Sequence, residues 1–175
     1  SPSFHHYKTF WKLLLGKKTL ERINPVKFPK RNKEYTQAIR ITSPNGAFLF
    51  FRTSTFSEIG GFDTNLFLYS EEMDFAKKLE KIAVEAALVP QAKFQHFQGK
   101  SSTTSTNIKK EAMLSELYVI KKHYSFLHYK IVQLYYLLTL PFKPRKWFLF
   151  PVIIKGVSLK YSLKQKQDIR FIKDH

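Results

Sequence analysis

The sequence contains no cysteine, which excludes disulfides and Cys-ligated zinc and fits a reducing compartment. Carboxylates are scarce as well: 13 Asp and Glu stand against 30 Lys and Arg, for a formal net charge of +17. No charged start leading into an apolar core and a small-residue cleavage site opens the chain. Because it begins at Ser1, a fragment or trimmed chain is expected. Long apolar runs are missing too. "FLHYKIVQLYYLLTLPF" is broken by Lys130, Gln133 and Pro141, and "WFLFPVII" is short, so neither reaches the roughly 20 residues of a spanning helix. There is no repeat and no long low-complexity tract.

What is present suits one domain. The 175 residues can bury a sizeable core. A 43% hydrophobic and 16% aromatic composition excludes a disordered polyelectrolyte. The charge is uneven. Residues 1–45 hold ten bases and two acids, and residues 100–175 hold fifteen and four. Residues 46–99 hold five bases and seven acids. A near-neutral middle between basic flanks suggests a site module with electrostatic anchoring on both sides, the partner being nucleic acid, an anionic membrane or a phosphorylated ligand.

Periodicity gives the coarse layout. Residues 1–45 form a basic helix and linker, with Phe10, Leu13, Leu14 and Leu20 at helical spacing, Gly16 interrupting, and "NPVKFPKRNKEY" reading as a loop. "GAFLFF" (46–51), behind the turn signal "SPNG", is expected to be a buried strand. "TSTFSEIGG" predicts a short helix capped by Thr53 or Ser54 and ended by Gly60 or Gly61. A helix follows over about 70–82, with Phe75, Leu79 and Ile82 as its apolar stripe. "AALVP" and "AKFQH" read as short extended segments, so the order is α/β in character. A helix over about 107–123 opens a basic, aromatic, helical tail spanning 106–175. That tail either lies in a membrane headgroup zone or packs on the domain as an amphipathic pair.

The stretch "LYSEEMDF" (68–75) concentrates Glu71, Glu72 and Asp74 in an acid-poor chain. With Ser70 as cap, the first-turn acids would answer the helix dipole for roughly 0.3–1 kcal/mol each. Asp74 and Lys78 are also a favourable i, i+4 pair. The alternative is an acidic site. His5, His6, His123 and His128 have no spacing to carboxylates that marks a metal site.

From Gly46 to Ser102 the elements "GAFLFFR", "EIGGFD", "LYSEEMDF", "LVPQAKFQH" and "SS" follow in order. This third of the chain resembles the C-terminal half of the catalytic domain of family 2 glycosyltransferases, notably bacterial rhamnosyltransferase-like members. The resemblance implies the back half of a GT-A type fold followed by amphipathic helices, with residues 46–105 as the catalytic half-domain. It implies an inverting transfer from a nucleotide sugar to a glycan or lipid-linked acceptor in cell-surface polysaccharide synthesis, at the cytoplasmic face of the bacterial inner membrane. Glu72 aligns with the family's base, although Asp is usual there, and Glu71 and Asp74 would orient the acceptor or support the site. Gly46, Asp63 and Lys78 fall on the acceptor side, Asp63 being a turn residue or an acceptor contact. His96 aligns with a residue near the metal or diphosphate.

The complete enzyme would use Mg or Mn. The Asp-x-Asp motif that holds metal and donor in the family is absent, and 45 residues before Gly46 leave no room for the donor-binding half. The expectations are therefore an isolated chain without turnover, an anionic membrane surface as partner, and a separate donor-binding half. The second reading is a non-catalytic membrane- or partner-binding remnant. Nucleic acid is disfavoured, since no recognition motif accompanies the basic charge.

Overall fold

The computed structural model describes residues 4–7, 9–95 and 105–166. It is a mixed α/β chain in which helices dominate and the strands are short. In order come β1 (Phe4–His5), α1 (Phe10–Leu15), α2 (Lys17–Ile23), β2 (Ile39–Ile41), β3 (Ser43–Pro44), α3 (Thr53–Glu58), α4 (Glu71–Lys81), β4 (Ala86–Leu88), α5 (Thr106–His123), α6 (Phe126–Thr139) and α7 (Phe150–Lys155). Short 3-10 turns flank α7. Two antiparallel pairs make the sheets: Phe4 faces Pro44 in β1–β3, and Arg40 faces Ala87 in β2–β4.

Local chemistry explains most helix ends. The Thr9 hydroxyl accepts from the Lys12 amide to open α1, and Gly16, with φ of 77°, separates α1 from α2. Ser105 and Ser125 cap α5 and α6 in the same way, accepting from the amides of Ile108 and His128. Gly60 and Gly61, both at positive φ, close the turn after α3. Gly61 must be small as well, because a Cβ there would come within 3.2 Å of the Phe56 ring.

The expected strand over 46–51 does not form. Gly46 and Ala47 are in a turn, the Asn45 side chain accepting from the Ala47 amide at 3.0 Å, and residues 49–52 are irregular. The reason is pairing: β2, from the segment before it, takes up β4 instead. An apolar run reports that side chains seek cover, not that a ladder partner exists. Phe50 is left 94% exposed, while Phe51 stacks on Phe56 at 5.0 Å within a cluster that includes Phe62 and Phe75. Residues 92–95 are irregular rather than extended in a sheet, although Phe94 stacks on Phe48.

The main core lies among the helices. Met73 of α4 joins Leu117 and Ile120 of α5, Tyr129 and Val132 of α6, and Ile153 of α7. Phe10 and Leu13 of α1 pack against the same cluster. The basic, aromatic C-terminal segment thus lays one side on the domain: Gln133 of α6 is buried and donates to the Ile153 carbonyl of α7. Among the described residues no helix is long and apolar enough to cross a membrane.

Candidate functional site

The acidic stretch divides into two groups at the start of α4. Its entry is unusual: Tyr69 and Ser70 both have φ of 66°, two consecutive non-glycine residues in the left-handed region. Each costs roughly 1–2 kcal/mol, and such strain persists only where surrounding structure imposes it. Here the preceding carbonyl, Leu68 O, is held by the hydroxyl of buried Ser115 on α5 at 2.9 Å. Ser70 is the N-cap residue by position, but its side chain makes no capping bond; its carbonyl takes the Asp74 amide at 3.0 Å.

Glu71 and Glu72 follow this elbow, both half-buried. The Asn45–Gly46 turn lies against them. A Cβ at Gly46 would be 3.7 Å from Glu72 Oε2 and 3.9 Å from Glu71 Oε1. The fold thereby brings Gly46, Glu71 and Glu72 together. Glu71 Oε2 is buried and accepts no hydrogen bond among the described residues, so it retains an unfilled need for a donor.

Asp74 belongs to the other group. It is wholly buried, its Oδ1 2.6 Å from Lys122 Nζ and 2.7 Å from His123 Nε2, its Oδ2 3.3 Å from Lys78 Nζ. Burial alone would raise its pKa. Hydrogen bonds from His123 and Lys122, with the Lys122 and Lys78 charges, more than offset this and hold the carboxyl well below the usual range. An ionised Asp74 must accept, so His123 Nε2 donates. Burial keeps Asp74 from direct acceptor contact, and the residue ties α4 to α5.

Asp63 is drawn into the same network. Its Oδ2 accepts from Lys122 at 2.6 Å and the Tyr118 hydroxyl at 2.9 Å, and its Oδ1 accepts from the Asn65 amide in a local turn. Burial pushes the Asp63 pKa up, but those donors bring it below the ordinary value. Lys78 donates to the Gly61 carbonyl at 2.7 Å, anchoring the Gly-Gly turn to α4. Asp63, Asp74 and Lys78 are thus engaged with the protein itself.

Lys122 is not singled out by the sequence, and His123 is weighed there only as a metal ligand, because their place at the C-terminal end of α5 looks like an ordinary answer to the helix dipole. The one available signal was a scarcity of acids that left Asp74 needing cations from elsewhere. His96, with Lys100, Ser101 and Ser102, lies outside the described residues. Among the described residues no three His, Asp or Glu side chains converge as a metal site.

A groove of about 650 Å³ runs beside this region, lined by Pro44, Phe48, Phe51, Phe75, Leu88 and Val89 among others. It borders β4, and Pro44 precedes Gly46 by two residues, so the groove and the carboxylate pair are neighbours. Compared with family models, curated proteins and solved structures, the chain matches none.

Proposed function

We propose that this chain is the acceptor-side half of an inverting glycosyltransferase with a GT-A type catalytic domain. The observation that carries the reading is the close approach of the Gly46 backbone to the Glu72 and Glu71 carboxylates directly after the strained Tyr69–Ser70 elbow. These are the residues that the motif order ties to acceptor activation. In the reaction an acceptor hydroxyl attacks C1 of the donor sugar while Glu72 takes its proton. The C1–oxygen bond to the nucleotide diphosphate breaks with inversion, and the diphosphate leaves with that electron pair. A carboxylate is a weak base, so the hydroxyl must lie within about 2.6–3.2 Å of it. Glu71, beside Glu72 at the start of α4, would support the site from within the fold.

In this reading Asp74, Asp63, Lys78, Lys122 and His123 hold α4 in register. The nucleotide sugar and a divalent cation, Mg or Mn, are assigned to a separate donor-binding half. The apolar groove beside β4 offers that half a docking surface. In this reading the setting is cell-surface polysaccharide synthesis, on a glycan or lipid-linked acceptor at the cytoplasmic face of a bacterial inner membrane.

The test is reconstitution. Alone, the chain should not turn over sugar nucleotide. Mixed with a polypeptide carrying a nucleotide-binding βαβ layer and an Asp-x-Asp motif, it should transfer sugar, and Glu72→Gln should lower kcat by about 100-fold or more, the worth of a positioned base. Undiminished transfer by the Glu72→Gln protein would overturn the assignment of the base. Transfer by the chain alone would overturn the half-enzyme reading.

A further inference from the structure

Helix α6 has two apolar sides, and only one is used by the core. Tyr129, Val132 and Gln133 face inward and are buried. Leu127, Ile131, Leu134 and Leu138 stand at i, i+4, i+7 and i+11, one stripe along the opposite side. Of these, Leu127, Leu134 and Leu138 are 54% or more exposed. The stripe runs on into segment 141–147, every residue of which is exposed, and which sets Phe142 and Trp147 among Lys143, Arg145 and Lys146. Trp147 is held there by its indole N–H, which donates to the Pro141 carbonyl at 3.2 Å.

Helix α1 packs beside α6. It packs the partly buried Phe10 and Leu13 against the core but leaves Trp11 and Leu14 exposed, with Lys12, Lys17 and Lys18 adjacent in sequence. No Asp or Glu occurs between Glu116 and Asp168, a stretch with ten Lys and Arg. Charge of one sign beside exposed leucine and tryptophan decides the occupant. A second copy of so basic a face would repel it, and a nucleic acid would engage the bases while leaving the leucines in water. An anionic bilayer surface satisfies both, taking apolar side chains into the acyl boundary and amines at the headgroups.

We propose that the outer stripe of α6, the 141–147 segment and the outward side of α1 form one face that lies in the plane of an anionic bilayer. This deepens the membrane-surface part of the proposed function and rests on it, adding α1, which lies in the segment expected to be a basic helix and linker. Binding does not require spanning. A 14-residue helix with buried contacts on one side is suited to lie flat at the interface.

The chain's two tryptophans, Trp11 and Trp147, are both exposed and both belong to the proposed face, so the protein carries its own probe. The full chain is mixed with vesicles of phosphatidylglycerol and phosphatidylcholine, or of phosphatidylcholine alone. The expected result is co-sedimentation with the anionic vesicles, weakening with salt, and a blue shift in emission from both residues, Trp11 being read separately in Trp147→Phe. Replacing Lys143, Arg145 and Lys146 by Gln should lower partitioning on the order of 100-fold, about five-fold per base. Leu134→Ser with Leu138→Ser should lower it about ten-fold or more with unchanged circular dichroism.

Unshifted emission of both tryptophans, equal binding to neutral vesicles, or a leucine double variant that binds as well as the parent would each overturn the proposal. So would preferential capture of a DNA duplex over anionic vesicles at moderate salt. No sugar donor is present, so the outcome is independent of glycosyl transfer.

Discussion

Replacing Asp74 by Asn tests the claim that the buried carboxylate holds α4 to α5. The substitution keeps the side chain's shape and removes its charge, leaving Lys122, Lys78 and His123 with one buried anion fewer among them. The amide nitrogen would also face the Lys78 ammonium, donor against donor. Removing one partner of a fully buried ion pair costs roughly 3–5 kcal/mol. The loss here is smaller, because Lys122 still has Asp63 at 2.6 Å and its side chain is 29% exposed. A cost of about 2–3 kcal/mol is expected, which for a chain of this length lowers the unfolding midpoint by about 4–12 °C.

Far-ultraviolet circular dichroism at pH 7 reads the midpoint of the full chain. A double-mutant cycle with Lys122→Met should give a coupling of about 1 kcal/mol or more. A midpoint for Asp74→Asn within about 2 °C of the parent would refute the reasoning and leave the network an ordinary surface ion cluster.

The pH profile follows from the same groups. Burial lowers the pKa of His6 and His128 below 6.5, so the fold favours their neutral forms, and that stability is complete above 6.5 and lost as pH falls below it. Asp74 and Asp63 are depressed below 3.8, so their contribution is present above 3.8 and disappears on further acidification. Lys122 is raised above 10.5, and its share is lost as pH climbs past that value. Thermal midpoints should therefore form a plateau from about pH 7 to 10, sag below 6.5 and fall again below about 4; a midpoint that rises on acidification from pH 7 to 5 would contradict this. Gly156→Ala should cost about 2–5 kcal/mol in urea unfolding, because φ is +68° and the new Cβ would lie 2.7 Å from the hydroxyl oxygen of buried Tyr129. At Gly16, with φ of +77° and ψ of 163° but nothing within 4 Å, the same change should cost only the backbone strain, about 1–3 kcal/mol.

What the sequence alone determined was local. The break at Gly16, the short helix closed by Gly60 and Gly61, α4 beginning after Ser70, and α5 ending at His123 all follow from periodicity and end chemistry acting within a turn or two. The pairing of acids with the helix start was legible in the same way. Tertiary structure decided the rest. Whether "GAFLFF" became a strand depended on which segment β4 accepted, and β2 took that place across more than forty residues. Asp74 was fixed as a brace by Lys122 and His123, 48 and 49 residues away. Gly46 met Glu72 only because the turn after β3 packs on α4. A helix cap is satisfied by its own neighbours, whereas a buried charge or a strand edge takes its partner from whatever the folded chain brings alongside.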